Sequence, residues 1–285
     1  MPATDAPVED VRWNGCFPNA AHQMTALFEE TIVTAINSTG CDRRSFMRII
    51  GSGVTLLALM VFPLAAHAQA AAQAPLKIGM IGAGREGGAL GTALVKAGHP
   101  VMFSSRHPEE LKGLVDGLGP LAKAGTVAQA IDFGDVVMIV IPYAAMQQIG
   151  RDYAAALAKK TLVIDVSNPS ARRDGADLVK SVDEQGGAGL ATAKMLPGAH
   201  LVRAFNAIGS AKIAADAHRP GGPVGVPIAG DDPHAIAVAS MLIRDIGFEP
   251  VLVGGLKMGK YLVPGTPLGG EHSPAEIRKI AAGLS

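Results

Sequence analysis

Cysteine is nearly absent from this 285-residue chain, which has only Cys16 and Cys41. Past residue 41 there can be no disulfide, cysteine zinc site or thiol nucleophile. Aromatic residues are sparse at 4%, with one tryptophan, Trp13. Neither sign of charge dominates, since 25 Lys and Arg face 25 Asp and Glu. That balance lacks the basic footprint of a nucleic-acid binder, so no nucleic-acid partner is expected. The histidines at 99, 107, 200, 218, 234 and 272 are scattered without metal-ligand spacing, and no HExxH or Ser-His-Asp arrangement is evident. The uncharged run Ile49 to Leu64 covers only 16 residues and contains Pro63. A comfortable bilayer span needs about 20.

What surrounds that run has the order of an export signal. Asp42-Arg43-Arg44-Ser45-Phe46-Met47-Arg48 precedes it and Ala66-His67-Ala68 follows, with small residues where a signal peptidase reads. The twin arginine and the Phe two residues on resemble a bacterial Tat signal, with Asp42 in place of the usual Ser or Thr. Residues 1–68 are therefore expected to be a targeting segment, cleaved before Gln69. An uncleaved membrane anchor is the lesser alternative. Met24 offers an alternative start that would leave residues 1–23 untranslated. Delivery to the periplasm by the Tat translocase, which exports folded proteins, is the expected route. Residues 69–74 read as an Ala/Gln linker.

The 217 residues after position 68 carry 21 basic and 19 acidic side chains and suit one α/β domain, or one with a small lobe. Glycine is abundant, at 35 of 285 residues or about 12% against a usual ~7%. Short apolar runs alternate with helical stretches. Strands are predicted at 76–81, 100–104, 135–141, 161–166, 201–206, 224–229 and 250–253. Helices are predicted at 87–97, 108–118, 126–131, 146–158 and 233–246, the last with Asp231-Asp232 as caps and Pro233 in its first turn. Several strands are apolar almost throughout, as strands covered on both faces should be. The pattern implies an α/β fold, a Rossmann-type doubly wound, mostly parallel sheet with a small C-terminal extension. Residues 75–196 would bind the dinucleotide, and 197–285 would complete the sheet and the substrate pocket.

Gly82-Ala83-Gly84-Arg85-Glu86-Gly87 has the Gly-x-Gly-x-x-Gly spacing between a strand and a helix. Gly82 would make the tight turn, Gly84 would admit a pyrophosphate, and Gly87 would let helix and strand pack closely. The next strand ends Ser104-Ser105-Arg106, where an NAD enzyme would place an acid for the ribose hydroxyl. Two hydroxyls and a guanidinium suit a 2′-phosphate instead, so NADP is expected. Ile141-Pro142-Tyr143 and Asp165-Val166-Ser167-Asn168-Pro169 end two further strands where the nicotinamide half should lie. Tyr143 could stack there or cap the core, and Asp165 reads more readily as a turn cap than as a catalytic group. His99 reads as a turn residue before its strand.

Taken together, GAGREGG at 82–88, SSRHPEEL at 104–111, DVSNPS at 165–170, RAFNAIGS at 203–210 and PIAGDDPHA at 227–235 resemble the coenzyme F420-dependent NADP oxidoreductases. The likeness runs from about Lys77 to Gly269. The reductase domain of animal six-transmembrane metalloreductases, in which electrons pass from NADPH to a flavin, is similar. The resemblance implies pyrophosphate contact at Gly82, Gly84, Arg85 and Glu86, and 2′-phosphate contact at Ser105 and Arg106. It puts Ile141, Pro142 and Tyr143 along the nicotinamide ribose, and Asn206 and Ala207 near the hydride-transfer pocket. Asn206 reads equally well as a buried amide fixing the turn after its strand. Arg85-Glu86 depart from the commoner Asn-Ile or Asn-Val of that family. The expected activity is hydride transfer between NADP(H) and a small-molecule acceptor, a flavin or the deazaflavin coenzyme F420. A ferric or quinone reductase acting through flavin and a non-catalytic NADP-binding protein are the alternatives, and a homodimer is allowed.

Replacing Arg43 and Arg44 together by Lys should hold the protein in the cytoplasm. Cell fractionation checks this, and periplasmic delivery unchanged by the double substitution would contradict the Tat reading.

Overall fold

The computed structural model describes residues 74–284. The expected targeting segment and the expected linker up to residue 73 lie outside the described residues. From residue 74 on, the chain forms one compact unit. Its strands are β1 (Ile78–Ile81), β2 (Val101–Ser104), β3 (Ala122–Gly125), β4 (Val136–Ile139), β5 (Leu162–Asp165), β6 (Leu201–Arg203), β7 (Gly225–Gly230) and β8 (Glu249–Gly254). They make a single sheet in the order β3-β2-β1-β4-β5-β6-β7-β8. β1 to β6 are parallel, β7 runs antiparallel to β6, and β8 is parallel to β7. The mostly parallel doubly wound sheet with a C-terminal extension is as expected from sequence.

The helices are α1 (Arg85–Lys96), α2 (Lys112–Leu118), α3 (Val127–Phe133), α4 (Met146–Leu157), α5 (Ala171–Asp174), α6 (Ala176–Glu184), α7 (Ala188–Met195), α8 (Ser210–Asp216), α9 (Pro233–Asp245) and α10 (Pro274–Ala282). Among the described residues none is long and apolar enough to cross a membrane. Side chains alternate across each strand, so each strand feeds two cores. Ile78, Met80, Val136, Met138, Leu162, Ile164 and Val202 pack with Leu90, Leu94, Leu242 and Ile243 of α1 and α9. Ile81, Val137, Ile139, Val163 and Leu201 pack on the other face with Ile131, Met146, Ile149 and Leu157 of α3 and α4. Gly79 lies on that second face because a Cβ there would sit 2.1 Å from the Ala130 carbonyl oxygen.

Local chemistry fixes the element starts. Thr126 and Gln129 form a capping box at α3, as do Ser273 and Glu276 at α10. At α9, Asp232 accepts from the His234 and Ala235 N–H groups ahead of Pro233. His99 is a buried turn residue whose Nδ1 accepts from the Leu76 N–H, and whose Nε2 meets Asp245 at 3.1 Å. The sequence showed no sign of β3, because Ala-Lys-Ala-Gly has no strand propensity and is held by its pairing to β2. The helices α5 to α8 and α10 were also unread.

Candidate active site

β1, β4, β5 and β6 point their carboxyl ends at one edge, and the chain crosses over in opposite directions from β1 to β2 and toward β4. A crevice opens at such a switch point. Here it is a cleft of about 630 Å³ lined by residues 84–87, 140–142, 166–168 and 205–210, with Arg173 and Pro264.

One wall is the glycine loop, and its three glycines have three different reasons. Gly82 is left-handed at φ +97°, and a Cβ there would lie 2.3 Å from the Val140 carbonyl oxygen. A Cβ on Gly87 would strike the Gly82 carbonyl oxygen at 2.0 Å, so the helix could not come so close. Gly84 faces open space, with nothing within 4 Å of a built Cβ. It caps α1 without any side-chain hydrogen bond, leaving the first-turn N–H groups to point at whatever enters. That is a cradle for phosphate, at the end of a helix whose dipole favours anions.

The opposite wall is built on a buried ion pair. Asp165 and Arg203 are register partners on β5 and β6, on the same sheet face, and neither side chain has any solvent exposure. Arg203 Nη1 donates to Asp165 Oδ2 at 2.5 Å, and its Nη2 donates to the Ser167 carbonyl and to Asn168 Oδ1 at 2.9 and 3.2 Å. Asp165 Oδ2 also accepts from Thr192 of α7, and Oδ1 accepts from the Ser167 N–H and hydroxyl. Asp165 therefore caps its turn, as expected, while also neutralising Arg203. Asn206 Nδ2 donates to the Asp165 and Ser167 carbonyls, and Asn168 Nδ2 donates back to the Asn206 carbonyl at 2.7 Å. Between β6 and Asn206 the backbone turns through Phe205, a non-glycine residue at φ +61°. Its buried ring meets Phe248 edge-on at 6.2 Å, which holds the strained turn in place.

These contacts sort the sequence candidates. Gly84, Arg85, Glu86, Gly87, Ile141, Pro142, Ser167, Asn168, Asn206 and Ala207 all line the cleft. Gly82 shapes the loop from behind. The structure corrects the reading of Tyr143, which does not reach the cleft. The 3₁₀ turn after Pro142 rolls its ring inward against Val182, Ala188 and Ala191, and its hydroxyl meets Thr192 Oγ1 at 3.1 Å. Burial pushes its phenol up to about 12 despite the Thr192 hydrogen bond. The reading of Ser104 is corrected too, because it is fully buried and its hydroxyl donates to the Met80 carbonyl at 2.9 Å. Ser105 and exposed Arg106 follow β2 outside the cleft, and Arg106 makes no salt bridge among the described residues. Sequence reading missed Thr192 and Arg173, and it quoted Arg203 and the segment 208–210 within a motif without giving them a role. Arg203, a cation inside an apolar strand run, was the available signal.

The architecture is shared with known proteins. Residues 77–169 match the family model described as NADP oxidoreductase, coenzyme F420-dependent. Over these residues the chain is similar to that family of NADP-dependent oxidoreductases. The metalloreductase STEAP3 of Rattus norvegicus is 30% identical over 186 residues, which cover 63% of this chain and 34% of that protein. The chain thus spans about one third of that relative's length. A hypothetical protein from Sinorhizobium meliloti superposes with a TM-score of 0.56 at 28% identity, over 68% of this chain and 93% of that one. A candidate F420-dependent NADP-reductase from Arthrobacter sp. FB24 shares the fold, with a TM-score of 0.56 at 21% identity over 65% of this chain and 87% of its own. The family's cofactor, NADP(H), fits the glycine cradle. Among the described residues no group of three or more His, Cys, Asp or Glu is placed to hold a metal ion.

Removing one member of a buried pair strands the other charge and costs about 3–5 kcal/mol. Arg203→Leu should lose stability on that scale in urea denaturation, and a loss under about 1 kcal/mol would show that the pair does not hold this wall together.

Proposed function

We propose that this protein transfers a hydride between NADP(H) and a flavin-like or deazaflavin acceptor bound in the same cleft. The observation that carries the reading is the continuity of the cleft, which runs from the Gly84 cradle along Ile141 and Pro142 to Asn206 and Ala207. Its volume is that of a site for a small organic molecule. When bound, the nicotinamide supplies the hydride, and the task left to the protein is orientation and exclusion of water. Ile141 and Pro142 give an apolar wall to one side of a flat ring. Asn168 and Asn206, held by the Arg203 network, fix the polar floor and do not swing freely. Outside the cleft, at the 2′-phosphate end of the dinucleotide, Arg106 and Ser105 would hold that phosphate, with Arg106 free of any salt bridge among the described residues. Ser105 Oγ accepts from the His107 N–H, which leaves its own proton to donate.

Likeness to a metalloreductase over 186 residues favours one variant of this reading, in which a bound flavin passes electrons on to a ferric chelate. The twin-arginine segment supports delivery of the folded protein to the periplasm by the Tat translocase. A periplasm has little free NADPH to regenerate the cofactor, and a sensing protein would need no such supply.

A scan at 340 nm over a panel of riboflavin, FMN, deazaflavin, quinone and flavin plus ferric chelate separates these readings. NADPH oxidation is expected with a flavin-like acceptor. Tight NADPH binding with no acceptor reduced would contradict the enzyme and leave a binding protein.

For cofactor choice, Arg106→Ala removes a hydrogen bond to a charged group, a contribution of about 1.5–3 kcal/mol. NADPH binding should weaken roughly 10- to 100-fold, while NADH affinity should change by less than about threefold. Isothermal titration of both cofactors measures the contrast, and equal losses would mean that Arg106 only supports the fold.

A further inference from the structure

Glu86 is an acid where an anion is expected. It is the second residue of α1, the helix whose N-terminus forms the phosphate cradle, and it lines the cleft. Its Oε1 is buried and has no hydrogen-bond partner, and the backbone N–H of Ser210 is the bond that supports the carboxylate. Two effects oppose each other. The helix N-terminus favours negative charge, whereas burial penalises it. Burial wins, and the Glu86 carboxyl is pushed up to about 7 in spite of the Ser210 hydrogen bond.

No cation offsets this. Arg85, its neighbour on α1, is exposed. Arg173 across the cleft is taken by Asp174 and by the Asn168 carbonyl. On α8, which packs against α1, Lys212 is engaged by Glu271 and Asp216, and just beyond that helix Arg219 is engaged by the same two acids. Among the described residues none of these groups forms an ion pair with Glu86.

We propose that Glu86 is the proton-accepting group of the cofactor cleft, taking up a proton from solvent as the pyrophosphate of NADP(H) settles on the N-terminus of α1. The inference rests on the NADP(H) reading above. An ionised Glu86 only accepts hydrogen bonds and repels the incoming phosphates. The neutral acid removes the repulsion and gains an O–H that it can donate to a phosphate oxygen. The sign follows by linkage. Bound phosphate raises the proton affinity of Glu86 further, so below pH 7 the group is already neutral and no proton moves. Above pH 7 up to one proton is taken up per cofactor, and binding weakens with rising pH until the bound form also ionises. The 2′-phosphate, with its second ionisation near pH ~6, is already fully charged in that window.

Titration of NADP⁺ into the wild-type protein at pH 8, in two buffers of different ionisation enthalpy, reads the proton directly and needs no variant. The expected result is a buffer-dependent heat that corresponds to proton uptake. The wild-type dissociation constant should rise by roughly threefold to tenfold from pH 7 to pH 8.5. Glu86→Gln should abolish both effects and bind NADP⁺ more tightly than wild type at pH 8.5. A buffer-independent heat in the wild type overturns the inference while leaving the cofactor assignment intact. So does proton uptake that survives Glu86→Gln, which would point instead to His107 beside Arg106. Absence of any NADP⁺ binding by equilibrium dialysis overturns the cofactor reading, and this inference with it.

Discussion

A carboxylate and a guanidinium without any solvent access need partners close by, which every side-chain oxygen and nitrogen of the pair except Arg203 Nε finds here, and that constraint organises one whole wall of the cleft. Taking both charges out of water is costly, and their attraction offsets this only if the remaining lone pairs and protons find partners. Asp165 uses both oxygens on Ser167, Thr192 and Arg203, and Arg203 spends its second amino group on the Ser167 carbonyl and Asn168. The partners are the residues of the loops after β5 and β6, so the requirement to satisfy a buried pair becomes a requirement that these loops hold one conformation. Asn206 closes the set by bridging two carbonyls of the β5 loop. The same demand reaches the scaffold, since a Cβ on Gly259 would lie 2.7 Å from Arg203 Cδ.

The other wall obeys a steric rule. The glycine loop can approach Val140, and α1 can approach the loop, only without Cβ atoms at Gly82 and Gly87. A rigid polar wall thus faces a rigid backbone wall, with Ile141 and Pro142 between them. Hydride transfer depends on holding two rings at near-contact distance, which a soft cleft would not do. Glu86 alone breaks the pattern, because it puts an acid on the anion-binding side.

The glycine loop was legible in the sequence because each glycine answers a local steric demand that spacing alone expresses. The sheet was legible for the same reason, through its runs of Val, Ile and Leu, and the Asp232-Pro233 start of α9 through its capping chemistry. Long-range pairing was not. Ser104 sits beside Arg106 in sequence, yet its hydroxyl turns into the core toward Met80, a fact that depends on where β1 lies. Tyr143 follows Pro142 into a 3₁₀ turn packed against α6 and α7, neither of which was read from the sequence, and for α7 the Ala- and Gly-rich stretch that forms it carries little pattern. Arg203 stood out as a charge in an apolar run, but its role required knowing that β6 places it opposite Asp165.

The most direct measurement is a crystal structure of the protein with NADP⁺. The pyrophosphate should lie on the amide groups at the start of α1 beside Gly84, the 2′-phosphate on Ser105 and Arg106, and the nicotinamide between Pro142 and Asn206. A dinucleotide bound away from the glycine loop, or one with its nicotinamide turned away from the Asn206 wall, would contradict the assignment of this cleft.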